Sequence, residues 1–389
     1  MKQVRVIFDI GKTNKKCFVF GENYRELTKY NREFDEVEDE DGFPCDDLFA
    51  IEKWIDQTLK KIADHGDYRI SGVNFSTYGA TLVHLDGHGR PVTPLYNYLK
   101  PLPANVLEAF YEQYGAPEDI ARQTASPPAG MLNSGWQLYW LKHTKPEQFQ
   151  QIRRSLHFPQ YLSYRYTGIM TTDYTSLGCH TGLYDFEKKD YHDWVYAENL
   201  VRLFPPLVST ETVVRSRFGR RMLNFGIGIH DSSAALLPYL RATRKPFALI
   251  STGTWSIALN PFATEPLTPE DLRNDTLNYL RIDGRPVRAT RLFLGKEYAT
   301  QVARLNAYFL KKPKYHRKVK LNNVFVRRRH VWRGLQFKME HLPTRRGEPA
   351  ATDLTQFKCF EEAYHQLMVE LTDWQAKAIR RAVAGLPWA

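Results

Sequence analysis

A strand–turn–strand pattern that occurs twice constrains the fold of this chain more than any other feature. Residues 4–10 and 17–20 are apolar, β-rich runs on either side of a polar turn at residues 11–16. The pattern recurs at residues 247–259, where Gly253 marks the turn. Two apolar runs around a glycine-containing turn predict a β-hairpin. Since the two copies lie far apart in the chain, we expect each hairpin near the start of its own domain.

The chain around these hairpins alternates between helix and strand patterns. Apolar residues recur at helical spacing in residues 51–63 and 360–384. Residues 70–75, 80–86 and 225–231 have the short apolar runs that are typical of strands. An alternation of strands and helices predicts an α/β fold.

Length and composition limit the class of protein. The 389 residues are too many for one ordinary core and fit two domains, which we place at residues 1–224 and 225–389. No run approaches the roughly 18 apolar residues of a membrane span, and the first residues carry charges where a secretion signal needs an apolar stretch. The four cysteines form no Cys-x-x-Cys pair, so neither a disulfide scaffold nor a structural zinc site is predicted. We expect a cytoplasmic globular protein with no membrane partner and leave its oligomeric state open.

The formal net charge of +11 comes from one segment. Residues 311–346 carry thirteen Lys or Arg and one acid, whereas residues 33–47 carry nine acids and no base. Aromatic residues interleave with the basic ones, a mixture that nucleic-acid sites use. We favour a solvated insertion loop or an incompletely packed strand pair, so nucleic acid is not expected as a partner. The acidic run is also expected to be a solvated loop.

The first turn has some features of a phosphate-binding loop. A P-loop needs a glycine where this chain has Val6, so that motif is absent. Gly11 and Thr13 still offer backbone N–H groups and a hydroxyl next to lysines, which can hold phosphate oxygens, and Asp9 can reach a Mg²⁺ ion. An ordinary hairpin turn is the alternative. Together with the turn at residues 251–256, the pattern predicts a cleft that grips one polyphosphate from both sides, as phosphoryl transfer requires.

His230 and Asp231 occupy a predicted transition from strand to helix, where two interpretations compete. In the first, Asp231 is a helix N-cap, the commonest role of Asp at such a place. In the second, Asp231 is a general base that takes a proton from a substrate hydroxyl while His230 binds the substrate. Taken alone, the motif favours the N-cap. Residues 76–79 are similarly ambiguous between a ligand-lining loop and a plain turn.

Taken together, five segments resemble the FGGY family of carbohydrate kinases, in the family's order and over nearly the whole chain. Residues 8–14 are similar to the family's first phosphate loop, and residues 75–80 to its sugar-binding loop. In the third segment, residues 159–168 are similar to the family's aromatic helix and residues 172–176 to the acid-bearing turn after it. Residues 228–235 are similar to the catalytic-base segment, and residues 251–256 to the second phosphate loop.

The resemblance implies two domains of the actin-like, ribonuclease H-like ATPase fold and phosphorylation of a small-molecule sugar with ATP and Mg²⁺. It implies that Asp231 is the catalytic base and that Asp9 and Asp231 lie at the metal. The phosphate-binding residues that it implies are Gly11, Lys12, Thr13, Asn14, Lys16, Gly253 and Thr254. The sugar-binding residues that it implies are Thr77, Tyr78, Gly79 and His230.

Details of these segments refine the resemblance. The His-Asp-Ser and Ser-Thr-Gly-Thr-Trp forms look most like the rhamnulokinase and fuculokinase branch, which implies L-rhamnulose or L-fuculose phosphorylated at the C1 hydroxyl. Glycerol kinases carry Arg-Glu where this chain has Thr77-Tyr78, so glycerol is disfavoured. The glycine-rich motif that holds adenosine late in the family's second domain has no counterpart in this sequence, so that domain looks C-terminally short and we expect a truncated chain. The alternative function is a catalytically impaired, sugar-binding remnant of a kinase.

Overall fold

The structure is a computed structural model that describes residues 1–327 and 335–386, and it contains two compact units. The first unit comprises Met1–Lys245 and Leu277–Val287. The second comprises Pro246–Thr276 and the described residues from Arg288 onward. Both units contain strands and helices, which confirms the predicted α/β class.

Most of the strands lie in the part of the chain before Lys245. They are β1 (Lys2–Ile10), β2 (Lys15–Phe20), β3 (Glu26–Arg32), β4 (Glu36–Glu38), β5 (Pro44–Asp46), β6 (Tyr68–Thr77), β7 (Leu82–Leu85), β8 (Arg154–His157), β9 (Thr172–Asp173), β10 (Tyr184–Asp185), β11 (Asp190–Tyr191), β12 (Leu207–Val208), β13 (Val213–Phe218), β14 (Arg221–Gly226) and β15 (Ile229–His230). Those after it are β16 (Leu249–Thr252), β17 (Ser256–Asn260), β18 (Thr276–Leu280) and β19 (Pro286–Leu292).

The α-helices are distributed between the same two parts of the chain. The earlier ones are α1 (Leu48–Ala63), α2 (Ala104–Tyr114), α3 (Pro117–Thr124), α4 (Ser134–Thr144), α5 (Pro146–Phe149), α6 (Phe158–Thr167), α7 (Tyr174–Leu177), α8 (Asp193–Ala197) and α9 (Asp231–Ala242). The later ones are α10 (Pro269–Arg273), α11 (Leu294–Tyr308), α12 (Asn323–Arg327) and α13 (Phe360–Val383). Short 3₁₀ helices span Glu22–Tyr24, Gly130–Leu132, Val201–Leu203 and Tyr315–Lys318.

The first unit is built on a sheet with the strand order β13-β14-β6-β1-β2-β3, and β15 also pairs with β6. β1 and β2 are antiparallel, with Ile10 opposite Lys15, which confirms the predicted first hairpin. β1, β6 and β15 run parallel to one another. The carboxyl ends of these three strands therefore lie at one edge of the sheet.

The core of the first unit follows from side-chain periodicity. Alternate residues of β1 from Val4 to Ile10 are fully buried, as expected for one face of a strand. Ile51 and Leu59 of α1 belong to the same hydrophobic cluster. Complete burial of each such side chain contributes about 1.5–3 kcal/mol. Asp47 starts α1 as its N-cap, because its side chain accepts a hydrogen bond from the first turn of the helix.

Residues 225–230 extend the sheet of the first unit. Phe225 and Ile229 both pair with β6, and the Phe225 side chain is fully buried in the core of this unit. The division between the units consequently follows Lys245, whereas the sequence analysis placed it before this segment.

The acidic run at residues 33–47 is solvated only in part, because most of its acids are exposed but two of them are buried. Asp39 is buried, and the ammonium group of Lys100 lies 2.6 Å from its carboxylate. Asp46 is buried as well, 2.7 Å from the ammonium group of Lys15. Buried carboxylates require such partners, and in this run the partners come from distant parts of the sequence.

The second unit contains the other predicted hairpin, formed by the antiparallel strands β16 and β17. β19 pairs with β17 in the same sheet. The predicted amphipathic helix near the end of the chain is α13, whose Leu367 and Trp374 share a hydrophobic cluster with Leu305 of α11. Residues 277–287, at the outer end of the β18–β19 hairpin, belong to the first unit.

Part of the basic segment at residues 311–346 is packed rather than solvated. The backbone N–H groups of Gln336 and Phe337 donate to the carboxylate of Glu370 at 2.9 and 3.2 Å. The Phe337 side chain is fully buried in the core of the second unit. The aromatic and basic residues at positions 328–334 lie outside the described residues.

Candidate active site

The carboxyl ends of β1, β6 and β15 bring several predicted site residues to one edge of the sheet. Ile10 and His230 are both paired with Thr77, so the three strands end at the same level. The chain continues from these ends into the first turn, into Gly79 and into Asp231. Ligands of α/β sheets bind at such an edge, where loops after parallel strands meet.

Asp231 is the first residue of α9, and the N-cap is His230, which makes no side-chain capping bond. The N-cap interpretation of Asp231 is therefore not what the structure shows. The Ser232 hydroxyl donates to Asp231 Oδ1 at 3.2 Å, and His230 Nε2 lies 3.2 Å from the same oxygen. The Asp231 side chain is 38% exposed, so a substrate hydroxyl can reach the carboxylate.

His230 is buried, and both its ring and its backbone are held by neighbouring residues. Its Nε2 lies 3.3 Å from Cys179 Sγ, and its backbone N–H donates to Thr175 Oγ1 at 3.1 Å. Burial lowers the pKa of His230, although the charges of Asp231 and Asp173 act in the opposite direction. Burial therefore favours the neutral imidazole, in which one ring nitrogen carries a proton to donate.

Gly79 owes its identity to this histidine. A Cβ atom at position 79 would lie 3.1 Å from the His230 ring and 3.0 Å from Cys179 Sγ. A larger residue would consequently crowd the imidazole ring that contacts Asp231.

Asp9 lies close enough to Asp231 for the two carboxylates to interact. Burial raises the pKa of Asp9, the charge of Lys16 lowers it, and the charge of Asp231 raises it again. Among the described residues, no group of three or more His, Cys, Asp or Glu side chains could hold a metal ion. Two carboxylates nevertheless suit Mg²⁺, which keeps several waters and completes its shell with phosphate oxygens.

The first turn is closed by a hydrogen bond from Gly11 N–H to Asn14 O at 3.0 Å. Thr13 and Asn14 are exposed and free of the core. The ammonium group of Lys12 instead lies 2.8 Å from Glu36 and 3.1 Å from Asp46. Its charge is therefore shared with two carboxylates of the acidic run.

Asp46 organises the protein side of this turn, and the sequence analysis missed it. Lys15 Nζ donates to Asp46 Oδ1 at 2.7 Å and to the carbonyl oxygen of Lys12 at 2.8 Å, and the Tyr78 hydroxyl donates to Asp46 Oδ2 at 2.7 Å. Burial alone raises the pKa of Asp46, but these bonds and the charges of Lys15 and Lys12 outweigh burial and leave the pKa lowered. Asp46 is therefore an ionised carboxylate beneath the turn.

Thr77 and Tyr78 do not present their side chains as the resemblance implied. Thr77 is fully buried, and its hydroxyl donates to the carbonyl oxygen of Tyr78 at 2.8 Å. The Tyr78 hydroxyl is bound to Asp46, so neither hydroxyl faces open space.

Tyr98, which the sequence analysis missed, packs edge-on against Tyr78 with ring centroids 5.9 Å apart. Burial raises the pKa of Tyr98, the charge of Lys12 lowers it and the charge of Asp231 raises it, so this half-buried residue lies in the field of both groups.

The second turn, in the second unit, is held by close packing of backbone. Gly253 N–H donates to Trp255 O at 2.8 Å, and Gly295 N–H donates to Thr254 O at 3.0 Å. A Cβ atom on Gly295 would lie 2.0 Å from the carbonyl oxygen of Gly253. Gly295 is therefore required for this contact, which no local sequence signal indicated.

A cavity of about 190 Å³ adjoins this turn within the second unit. It is lined by Thr252, Gly253 and Ser256 of the β16–β17 hairpin and by residues of α11 and α13, Gly295 among them. The turn itself is exposed, so Thr254 is available to a ligand.

Comparisons with known proteins cover nearly the whole chain. The family model described as the FGGY family of carbohydrate kinases, N-terminal domain, matches residues 4–229, and the model for the carbohydrate kinase FGGY C-terminal domain matches residues 244–332. A carbohydrate kinase from Novosphingobium aromaticivorans is 23% identical, with a TM-score of 0.76 over 97% of this chain and 82% of that one.

Two further solved structures are similar in fold. A ligand-bound xylulose kinase from Lactobacillus acidophilus is 14% identical, with a TM-score of 0.75 over 98% of this chain and 79% of that one. The glycerol kinase of Plasmodium falciparum, solved with ADP, is 14% identical, with a TM-score of 0.73 over 98% and 78% of the two chains.

None of the helices in the described part of the chain combines the length and the apolar character that crossing a bilayer requires.

Proposed function

The chain belongs to the FGGY family of carbohydrate kinases, and from this we propose that it transfers the terminal phosphoryl group of ATP to a ketose. The family consists of phosphotransferases with a two-domain, actin-like fold, so the predicted enzyme class and fold are confirmed. The proposed acceptor is L-fuculose or L-rhamnulose, at the C1 hydroxyl, because residues 228–235 and 251–256 resemble that branch of the family. Xylulose, the substrate named for several similar structures, is the second candidate.

The position of Asp231 at the open edge of the sheet supports this function most directly. Its carboxylate is accessible, follows directly on the buried His230, and makes no N-capping bond that would occupy it. A general base must first be within reach of the proton that it removes. Asp231 satisfies this condition, and it is our proposed base.

The reaction then follows from these groups. The sugar hydroxyl gives its proton to an Asp231 carboxylate oxygen while the hydroxyl oxygen forms a bond to the γ-phosphorus of ATP. The bond from that phosphorus to the β–γ bridging oxygen breaks in line, and ADP leaves. His230 orients the carboxylate through its Nε2, and Gly79 leaves the imidazole room to do so.

Charge neutralisation is the remaining requirement of phosphoryl transfer. Asp9 and Asp231 are the residues that would hold Mg²⁺, which supplies positive charge to the phosphate oxygens when it is bound. Gly11, Thr13 and Asn14 in the first unit remain proposed phosphate contacts, as do Gly253 and Thr254 in the second.

Release of ADP over a panel of ketoses tests the proposal. The panel contains L-fuculose, L-rhamnulose and D-xylulose, and glycerol serves as the disfavoured acceptor. Asp231→Asn should lower kcat on the best acceptor by about 10²- to 10⁴-fold, while calorimetry still detects binding of that sugar. Glu211→Gln, which removes an exposed carboxylate paired with Arg241, is the control and should leave turnover unchanged.

Two outcomes would contradict the assignment. Unchanged turnover in Asp231→Asn would exclude this residue as the base. Binding of a sugar without any binding of ATP would instead support the alternative function, a sugar-binding protein that no longer phosphorylates its ligand.

A further inference from the structure

The backbone that leads into Asp231 is held by side chains rather than by neighbouring strands alone. The Ser163 hydroxyl donates to the carbonyl oxygen of Gly226 at 2.9 Å. Gln160 Nε2 donates to the carbonyl oxygen of Gly228 at 3.1 Å, and Gly228 N–H donates to Asn74 Oδ1 at 3.1 Å. Polar side chains from α6 and β6 therefore satisfy the segment between β14 and β15.

Gly228 permits only one path through this segment. Its φ is +89°, a conformation that non-glycine residues rarely adopt. A Cβ atom at this position would lie 2.3 Å from the carbonyl oxygen of Pro159. The backbone at Gly228 therefore fixes the position of His230 relative to α6.

The last hydrogen bond before Asp231 comes from α7. His230 N–H donates to Thr175 Oγ1 at 3.1 Å, and the same hydroxyl donates its proton to Asp173 Oδ2 at 2.6 Å. The Thr210 hydroxyl donates to Asp173 Oδ2 as well, at 2.8 Å. The carboxylate thus orients the Thr175 hydroxyl, so that a lone pair of its oxygen faces His230.

The two side chains that hold the backbone N–H of His230 in this way are completely buried. Asp173 and Thr175 are 0% exposed, so neither can touch the substrate. The backbone N–H that Thr175 binds is one residue from the catalytic carboxylate. A small displacement of this N–H would therefore move the Asp231 carboxylate, whereas the buried Thr175 side chain itself contributes nothing to the sugar-binding surface.

We propose that Thr175, oriented by Asp173, is a positioning residue that sets the placement of Asp231 for proton removal. This inference rests on the proposed function of Asp231. Since a misplacement of about 1 Å can cost a factor of about 10² in rate, loss of the hydroxyl should appear in kcat rather than in KM.

Three variants test the proposal. Thr175→Val keeps the shape of the side chain and removes the hydroxyl, and it should lower kcat on the best ketose by about 10- to 100-fold with KM unchanged. Thr175→Ser keeps the hydroxyl and should restore kcat. Thr181→Val removes another buried hydroxyl nearby, one that donates to Leu177 O at 2.7 Å, and should leave kcat unchanged. A loss of kcat in Thr181→Val equal to that in Thr175→Val would overturn the proposal.

Hydrogen exchange gives a readout that does not depend on catalysis. The amide of His230 should exchange faster in Thr175→Val than in the wild type, whereas Thr175→Ser and Thr181→Val should retain its protection. Unchanged protection in Thr175→Val would overturn the positioning role even if no ketose is phosphorylated. Faster exchange in Thr175→Val, in a protein whose wild type lacks turnover, would sustain the link to His230 and reject only the proposed reaction.

Discussion

The two glycine turns look alike in sequence, but different kinds of interaction stabilise them. The first turn, Gly11 to Asn14, lies over a buried charge cluster in which Asp46 binds Lys15, Lys12 and the Tyr78 hydroxyl. The second turn instead has an ion pair beside it, Arg291–Asp275, whose guanidinium lies over the Trp255 ring. It is held by the approach of Gly295 to the backbone of Gly253 and Thr254.

This difference shows that one local motif can be stabilised in two ways. Electrostatic support responds to the removal of a charge or to pH, whereas steric support responds to added volume. The two turns should consequently differ in which substitutions they tolerate.

The largest effect is expected from Asp46→Asn. Lys15 is only 2% exposed, so the variant leaves a buried ammonium group without its carboxylate. Breaking a buried ion pair in this way costs about 3–5 kcal/mol of unfolding free energy, which urea denaturation measures. Glu36→Gln removes the other partner of Lys12. Because the Glu36 side chain is 44% exposed, this variant should cost less than about 1 kcal/mol of unfolding free energy. Equal losses in both variants would show that burial of the cluster is unimportant.

A smaller effect is expected from Gly295→Ala at the second turn. The new methyl group would overlap the carbonyl oxygen of Gly253 and force the backbone apart, which costs about 1–3 kcal/mol. Gly253→Ala is the matched control, because a Cβ atom at that position has no neighbour within 4 Å. Thermal unfolding compares the two variants. A Gly295→Ala protein as stable as the control would mean that the turn relaxes without strain.

The smallest effect is a pH dependence confined to the first turn. The pKa of Asp46 is lowered from its ordinary 3.8, so its ion pairs contribute fully above that value and are lost as pH falls through the folded pKa. The stability difference between the wild type and Asp46→Asn should therefore shrink when urea denaturation is repeated at pH 3 instead of pH 7. The cost of Gly295→Ala should be the same at both pH values, and a parallel decline would remove the distinction between the turns.

The parts of the molecule that follow from local pattern were predictable. Both hairpins, α1 and α13 follow from the spacing of apolar residues, which needs only neighbouring positions. Asp231 was identified as a candidate base because the His-Asp motif allowed that role and the resemblance to the FGGY family implied it, although the motif taken alone favoured an N-cap. That Asp231 is not the N-cap was not predictable, because the helix begins at Asp231 itself, one residue earlier than a capping Asp requires.

The parts that depend on distant partners were not predictable. Asp46 belongs to an acidic run whose charge predicted a solvated loop. Its partner Lys15 is thirty-one residues away in the sequence, so no local pattern indicated the ion pair. Thr77 seemed available to a sugar until its pairing with Ile10 and His230 placed it inside the sheet. Gly295 is required only by its approach to Gly253, which no local pattern reveals.

The interruption of the second unit by residues 277–287 limits how the protein can be dissected. Leu280 belongs to a hydrophobic cluster of the first unit, and a Cβ atom on Gly178 would collide with its side chain. A fragment that ends at Lys245 would lack Leu280 and expose the apolar surface that it covers. Neither unit is a continuous stretch of chain, so a single cut cannot yield two self-sufficient halves. A domain swap with a related enzyme would have to exchange residues 277–287 together with residues 1–245.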